Sequence, residues 1–385
     1  MTYSWLACRA TDGRVIAELP GLTVEQVGVT LCDWWTGTAT LLLDDATTDE
    51  WRRATAPWAA YLVCLDEGSA DRPALEHPVW GGWITSRTAS DADTVSLGIA
   101  SWEAYLARRF VRDLVYPDSE QCGLLADLVG QCVTAPIPAA PIPPALLVEY
   151  VAGSITRHRE YEQTSQKTVA SVMQELSGVE QGPEWTVTWR HMSGPERYLP
   201  VLTIRDRIGA AKPEGMPSPA SVLTMPGAVT QFSVVEDWTE GKGATAVTAT
   251  STAEGDLLPM SAVQVYADPD RPTLEYRYTP AASITDIDTL RSHAARALAV
   301  MRDGAVAITL TAAVEAAPRL GLDWGLGDDI GWSLAARSVS PGRRIPGDPA
   351  SGWIPVEGVG RAIGWEASLS GVETVTPILE STEVW

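Results

Sequence analysis

Phenylalanine is nearly missing from this 385-residue chain, and basic residues are scarce: 28 Lys plus Arg stand against 49 Asp plus Glu, a formal charge of −21. A surface so acidic repels polyanions rather than releasing their counterions, which excludes a protein that grips nucleic acid through phosphates, although nucleic acid could pass near it. Cysteine is limited to Cys8, Cys32, Cys64, Cys122 and Cys132, an odd number without any CxxC spacing, so neither a disulfide frame nor a zinc site is expected. The five read as reduced, mostly buried small hydrophobes. No uninterrupted apolar run is long enough for a membrane span: the most apolar one, "APIPAAPIPPALLVEYVAG" (135–153), carries five prolines. The start, "MTYSWLACRATDG", lacks a basic stretch followed by an apolar core, so no secretory signal is read and a soluble protein made in the cytosol is expected.

What the chain does have is length for two to four domains, 45% apolar residues to fill them, and 16 tryptophans against 2 phenylalanines. Tryptophan combines large volume with a polar N–H, which suits sugar platforms and subunit interfaces equally. Residues 1–112 read as strands: "YSWLACR", "GRVIAEL", "TATLLLD", "AAYLVCLD", "VWGGWITSR" and "DTVSLGIA" are short, rich in β-branched or aromatic residues and punctuated by turn formers. A helix, "SWEAYLARRF", closes the block, with Ser101 as cap and Trp102, Tyr105 and Leu106 on one face. From 113 to 217 the pattern is mixed. Leu125, Leu128, Val129 and Cys132 recur at helical spacing, the proline tract after them is extended or loop, and "KTVASVMQEL" aligns Val169, Val172, Met173 and Leu176 before Gly178. "EWTVTWRHM" and "RYLPVLTIRDR" then predict a hairpin.

After the breaker "AAKPEGMPSPA" (210–220), strands are predicted in "AVTQFSVVEDW", "GKGATAVTATS" and "LEYRYTP". The strongest helix follows: Ser283 with Asp286 makes a variant capping box, Ile287, Leu290, Ala294, Leu298 and Met301 form the apolar stripe, and Gly304 ends it. Strands resume with "AVAITLTAAV". Residues 81–101 and 360–381 share a pattern of apolar strand, acidic or Gly turn, and a strand opening on Thr-Val, a candidate duplication of one hairpin.

The stretch that most invites a chemical reading is "GLDWGLGDDIGWSL" (321–334), where Asp323, Asp328 and Asp329 sit among glycines and two tryptophans. A glycosidase needs two carboxyls facing each other about 5 to 9 Å apart. Neighbours on a strand point to opposite sides, so Asp328 and Asp329 cannot both face one substrate from a strand that buries Ile330, Trp332 and Leu334, and the run reads as a turn. His77, His158, His191 and His293 are isolated, without HxH or HExxH spacing. "GKGAT" (241–245) lacks phosphate-loop spacing, and "AGSIT" (152–156) is not a nucleophile elbow. "DPDRP" (268–272) and "TDIDT" (285–289) do not continue into a calcium loop. No catalytic, cofactor-binding or metal-binding residue emerges, and no enzyme is expected.

Taken together, the strand-rich first block, "SWEAYLARR", the mixed middle, "GPEWTVTWR", "VLTIRDRIG" and the late "AAPRLGLDWGLGDDIGW" with "GRAIGWEASLSGVETVTPIL" resemble the tail-hub proteins of long-tailed bacteriophages, especially minor tail proteins of actinobacterial siphophages. The family's late "Gly-x-Asp-aromatic-x-Leu-Gly-Asp-x-hydrophobic" segment falls on Gly321, Asp323, Trp324, Leu326, Gly327, Asp328 and Ile330.

The resemblance implies an α+β, mainly β fold with two related tail-tube-like β-barrel domains and two small α/β domains. The first barrel would take residues 1–112, a mixed α/β domain 113–217, the second barrel 218–240 with 303–385, and an inserted α/β domain 241–302. It implies a non-enzymatic homotrimer without cofactors in the virion tail tip. Three chains with two barrels each would make a pseudo-sixfold ring around the channel for the tape measure protein and the DNA. That ring would join the distal tail protein or tail-tube ring to other tip proteins. Many such hubs continue into fibre or wall-cleaving regions, and this sequence stops at Trp385, so those tasks would fall to other tail proteins. The rival reading is a Trp-rich carbohydrate-binding or glycoside-hydrolysing tail protein acting on the host envelope.

Overall fold

The computed structural model describes residues 3–44, 47, 49–89, 93–137, 143–179, 181–216, 218–251, 259–279, 287–302, 304–334 and 357–380. In chain order the first elements are strands β1 (Tyr3–Arg9), β2 (Val15–Glu18), β3 (Leu22–Val24), β4 (Gln26–Thr30) and β5 (Thr36–Leu42), then a single helical turn α1 (Trp51–Ala54). Strands β6 (Ala60–Asp66), β7 (Trp80–Ala89) and β8 (Thr94–Ser101) follow, then β9 (Leu114–Glu120) and helix α2 (Gln121–Val129). Next come β10 (Leu147–Tyr150), β11 (Thr156–Tyr161), α3 (Val169–Ser177), β12 (Glu184–Met192), β13 (Arg197–Arg205), β14 (Ser221–Met225) and β15 (Val229–Asp237). The remainder is β16 (Ala246–Ala249), β17 (Gln264–Val265), β18 (Glu275–Tyr278), α4 (Ile287–Met301), β19 (Ala305–Ala313), β20 (Asp329–Leu334), β21 (Glu357–Ser368) and β22 (Thr374–Leu379). The fold is α+β and mainly β, built on two curled half-barrel sheets.

The chain divides into two compact units, one of Met1–Gln231 with Leu310–Glu380 and one of Phe232–Thr309. Both large sheets belong wholly or mainly to the first. Sheet one runs β2-β1-β6-β7-β8-β5-β3, and sheet two runs β14-β20-β21-β22-β19-β15. Setting β2 aside, each sheet places its strands in the order first, fourth, fifth, sixth, third, second along the chain. The hairpins flagged by sequence, β7–β8 and β21–β22, hold the same central place in both, and each has a register shift, at Ile84/Ser86 and Ala362/Gly364. The repeat is not perfect: β1 meets β6 antiparallel, whereas β14 meets β20 parallel.

The remaining strand of the first block, β4, pairs antiparallel with β21, with Thr30 opposite Gly364 and Gln26 opposite Ser368. Its glycine explains how the junction closes. The Gly28 carbonyl accepts from Trp80 Nε1 at 3.0 Å, and a Cβ on Gly28 would lie 2.7 Å from Trp35 Cδ1 and 3.0 Å from the Trp365 carbonyl oxygen. Beside sheet one, β10 and β12 flank β13, β9 pairs β11, and α2 and α3 pack into the core that holds Trp83, Trp102 and Trp185.

Several expectations hold in detail. Val169, Val172, Met173 and Leu176 are buried along α3, and Leu125, Leu128, Val129 and Cys132 are buried along α2 and the turn after it. Others need correction. The segment after Ser101 is a 3-10 helix, Trp102–Arg108, and the Ser101 hydroxyl does not cap it but accepts from the Trp35 backbone N–H at 3.0 Å. The tighter winding lets both Trp102 and Leu106 be buried while the Trp102 carbonyl accepts from Trp83 Nε1. Strands β3, β4, β9, β10, β11 and β14 had no sequence signal, being short, polar or, in β9, interrupted by Pro117.

In the second unit, α4 lies on the small sheet β17-β16-β18. Leu290, Ala294 and Leu298 are buried and Met301 partly so, but Ile287 is 58% exposed. A 15-residue helix is about 22 Å long, whereas strands of four residues span about 13 Å, so its first turn overhangs the sheet. The capping pair Ser283 and Asp286 lies outside the described residues. Gly304, at φ +74°, ends the helix as expected.

Gly28→Val tests the junction between the sheets. Overpacking against Trp35 and the Trp365 backbone is expected to cost about 1–3 kcal/mol in urea denaturation, with the change seen in the transition midpoint rather than its slope.

Candidate functional site

The acidic stretch at 321–334 lies where four segments of the first unit meet. Each of its aspartates is occupied in a turn or a crosslink. Asp323 Oδ2 accepts from the Arg319 N–H at 2.6 Å, and Asp328 accepts from the N–H groups of Gly325 (2.7 Å) and Ala210 (2.6 Å). Asp329 pairs with Arg207 at 2.8 Å and accepts from the Lys212 N–H at 2.6 Å. Asp328 precedes β20 instead of lying in it, so strand alternation does not separate the two acids, and both hold the 207–212 linker. The turn reading holds, for a reason the strand argument did not contain. Gly327 has φ +85°, and a Cβ there would meet the Ile208 carbonyl oxygen at 2.2 Å. As expected, Ile330, Trp332 and Leu334 are buried.

Two ion pairs complete the joint. Arg361 donates to Glu184 at the start of β12, to the Gly327 carbonyl at 3.1 Å and to the Ile208 carbonyl at 2.9 Å. Arg319 and Asp66 are each 3% exposed in their side chains. Arg319 Nε donates to Asp66 Oδ2 at 2.9 Å and Nη1 to the Pro73 carbonyl, while Nη2 lies 2.6 Å from the same carboxylate as a charge contact without hydrogen-bond geometry. Asp66 also accepts from the Gly68 N–H at 2.8 Å. Sequence reasoning missed both pairs, because the partners are 253 and 177 residues apart.

Alongside this joint is a cavity of about 790 Å³, walled by residues 73–81, by Thr186–Arg190 of β12 and by the loop 319–326. Glu103 reaches its wall. The residue is 1% exposed, and its carboxylate accepts from the Val187 N–H at 2.9 Å. Burial pushes the Glu103 carboxyl up from 4.5 to about 7, against the opposing pull of its hydrogen bonds.

The histidines stay dispersed among the roles available to them. His77 lines the cavity, His191 stacks on Tyr198 at 4.9 Å, His158 is exposed, and the ring of His293, on α4, lies 6.3 Å from that of Tyr278 on β18. All five cysteines are free thiols, with Cys8, Cys64, Cys122 and Cys132 buried and Cys32 partly so. Asp268 of "DPDRP" is taken by Arg271 at 2.8 Å and by the Asp270 N–H. Among the described residues one group could hold a cation by ligand type, Glu120, Cys122 and Asp206, within 4.8 Å of one another. Its geometry serves the helix instead. Glu120 caps α2 through the N–H groups of Cys122 and Gly123, and Asp206 accepts from Gln121. Burial and the two carboxylates push the Cys122 thiol up to about 12, which disfavours the thiolate a metal would need.

No family model matches the chain, and neither does any curated protein sequence. Solved structures do. A tail protein from Neisseria meningitidis superposes with a TM-score of 0.55 at 13% identity, covering 100% of this chain and 98% of that one. The 43 kDa tail protein of prophage MuSo2 from Shewanella oneidensis gives 0.53 at 10% identity over 99% of both chains. The fold is that of phage tail proteins. The lidded Francisella PdpA–VgrG complex matches at 0.51 with 7% identity, covering 100% of this chain and 54% of that one. No helix among the described residues is long and apolar enough to cross a membrane.

Replacing one member of the buried pair, as in Asp66→Asn, is expected to destabilise by about 3–5 kcal/mol, because a buried guanidinium loses its counter-charge. The double variant Asp66→Leu with Arg319→Met should recover much of that loss in the same denaturation assay. Glu103 gives a pH signature. Its folded-state pKa is raised, so its contribution to stability is complete below about pH 4.5 and is lost as pH rises through about 7. In Glu103→Gln that part of the decline in melting temperature should be absent.

Proposed function

We propose that this chain is a structural hub protein of a phage tail tip, of the kind found as minor tail proteins in actinobacterial siphophages. Three copies form a pseudo-sixfold ring that joins the tail tube or distal-tail ring to the central tip proteins and surrounds the channel for tape measure and DNA. The observation that carries this reading is the shared strand order of the two large sheets. A chain presenting one architecture twice lets three subunits offer six similar positions to a sixfold tube above while remaining threefold below. In this reading the chain has four parts: barrels at 1–112 and at 218–240 with 303–385, a mixed domain at 113–217 and an insertion at 241–302. The charge of −21 suits a wall past which DNA slides without being held. Assembly with neighbouring tail proteins is in keeping with the Francisella structure, which is itself a complex.

The tryptophans weigh against the carbohydrate-binding rival. Trp5, Trp80, Trp83, Trp102, Trp185, Trp189, Trp324, Trp332 and Trp365 are buried and the other described tryptophans are half-buried, so among the described residues no tryptophan forms an open platform. A non-enzymatic role also accords with the use of Asp323, Asp328 and Asp329 in turns and crosslinks.

Light scattering of the purified chain across a concentration series is expected to give a mass of three times 41.3 kDa at high concentration. A stable dimer or tetramer would refute the ring. Tryptophan emission should be blue-shifted and largely protected from acrylamide, whereas a sugar-binding protein would show quenching relieved by its ligand.

A further inference from the structure

The cavity beside the joint has a wall that β-structure leaves unfinished. Among the described residues, strand β12 pairs with β13 on one side only. Trp185 exchanges contacts with Cys32 on the other side, and the Val187 N–H meets Glu103 there, so odd-numbered residues of β12 turn their backbone groups away from β13. The register agrees, since Trp189 stands opposite Pro200, which has no N–H to give. The Val187 carbonyl and the Trp189 N–H and carbonyl therefore face the free edge, along the stretch Thr186–Arg190 that lines the cavity. At about 790 Å³ the cavity falls within the ordinary range of ligand clefts, about 300–1,000 Å³. Its lining is mostly apolar, with Leu75, Val79, Leu320 and Leu322 among the contributors.

Charge distinguishes the occupant. The two arginines in the wall already have partners, Arg190 with Glu149 at 2.7 Å and Arg319 with Asp66. Glu103 is deeper than either acid and has no basic partner among the described residues, and the charged group acting on it is another acid, Asp33. Its carboxylate is hydrogen-bonded to the Val187 N–H, its own N–H and Ser101, but no opposite charge among the described residues meets it, and a buried carboxylate without a counter-charge is costly.

We infer that this cavity receives an extended peptide from another protein, which adds as a strand to the free edge of β12 and brings one lysine or arginine side chain to Glu103. Main-chain bonds to Val187 and Trp189 supply affinity, alternate side chains of the peptide enter the apolar lining, and Glu103 selects the basic residue. The inference does not depend on the ring: a monomer could bind in the same way.

The test is an array of immobilised decapeptides in which alternating valine and threonine surround one variable central position, probed with the full-length labelled protein. Retention is expected for lysine and arginine at that position, with the best peptide then measured by fluorescence anisotropy. Glu103→Gln should weaken that peptide about tenfold or more while leaving its norleucine counterpart unchanged. Thr188→Arg, at an exposed position on the cavity wall, should block both peptides while the circular dichroism spectrum stays the same. Absence of retention for every peptide, or a basic preference that survives Glu103→Gln in a folded protein, would overturn the inference. Trimerisation measured on the same samples separates its failure from that of the hub reading.

Discussion

Strand β4 follows β3 in the chain after a single residue, yet its hydrogen bonds go to β21, more than three hundred residues away. Everything else in the first unit depends on that exchange. It ties the sheet made from the start of the chain to the sheet made from its end, and the Gly28 carbonyl at its centre anchors Trp80, whose ring meets Trp5 and Trp35 edge-on at 6.0 and 6.3 Å. Pairings of such separation require closing a very long loop before any gain is returned, so this part of the chain belongs among slowly folding topologies.

The acidic loop at 319–329 then acts as the clasp of that assembly. Arg319 reaches back to Asp66 in the first sheet, Arg361 reaches Glu184 in the smaller three-stranded sheet, and Asp328 and Asp329 hold the linker between that small sheet and the second large one. Buried ion pairs of this kind add little net stability compared with apolar residues of the same shape, because desolvation offsets most of the attraction. What they supply here is position: a charge buried at the wrong register would be left without its partner.

Legibility in the sequence followed local physics. Helices α2, α3 and α4 and the strong hairpins β7–β8 and β12–β13 could be read because apolar periodicity was strong and the turn residues were nearby. Strands such as β9, β11 and β14 are half polar and are fixed by partners far away, so no local window contained their reason. Ser101 looked like a cap because its own sequence neighbourhood is all a reader has, whereas Trp35, the group that claims its hydroxyl, lies 66 residues earlier. The candidate site fared similarly. The turn character of "GLGDD" was visible in its glycines, but the cavity, the burial of Glu103 and both ion pairs arise only when distant segments meet. Ile287 shows the opposite limit: its helical phase was right, and the short sheet beneath it could not extend far enough to cover it.

The two sheets share a strand order although their sequences share only one hairpin pattern, as expected when a duplicated architecture has diverged while its topology remained. Under the proposed hub role, three such chains would meet a sixfold tube without breaking symmetry. End-on class averages from electron microscopy of the protein co-assembled with a phage tail-tube protein test the proposed hub role most directly. The account predicts a ring of six similar lobes whose averages retain only threefold symmetry, with three chains per ring. Six chains per ring, each supplying one lobe, would contradict it.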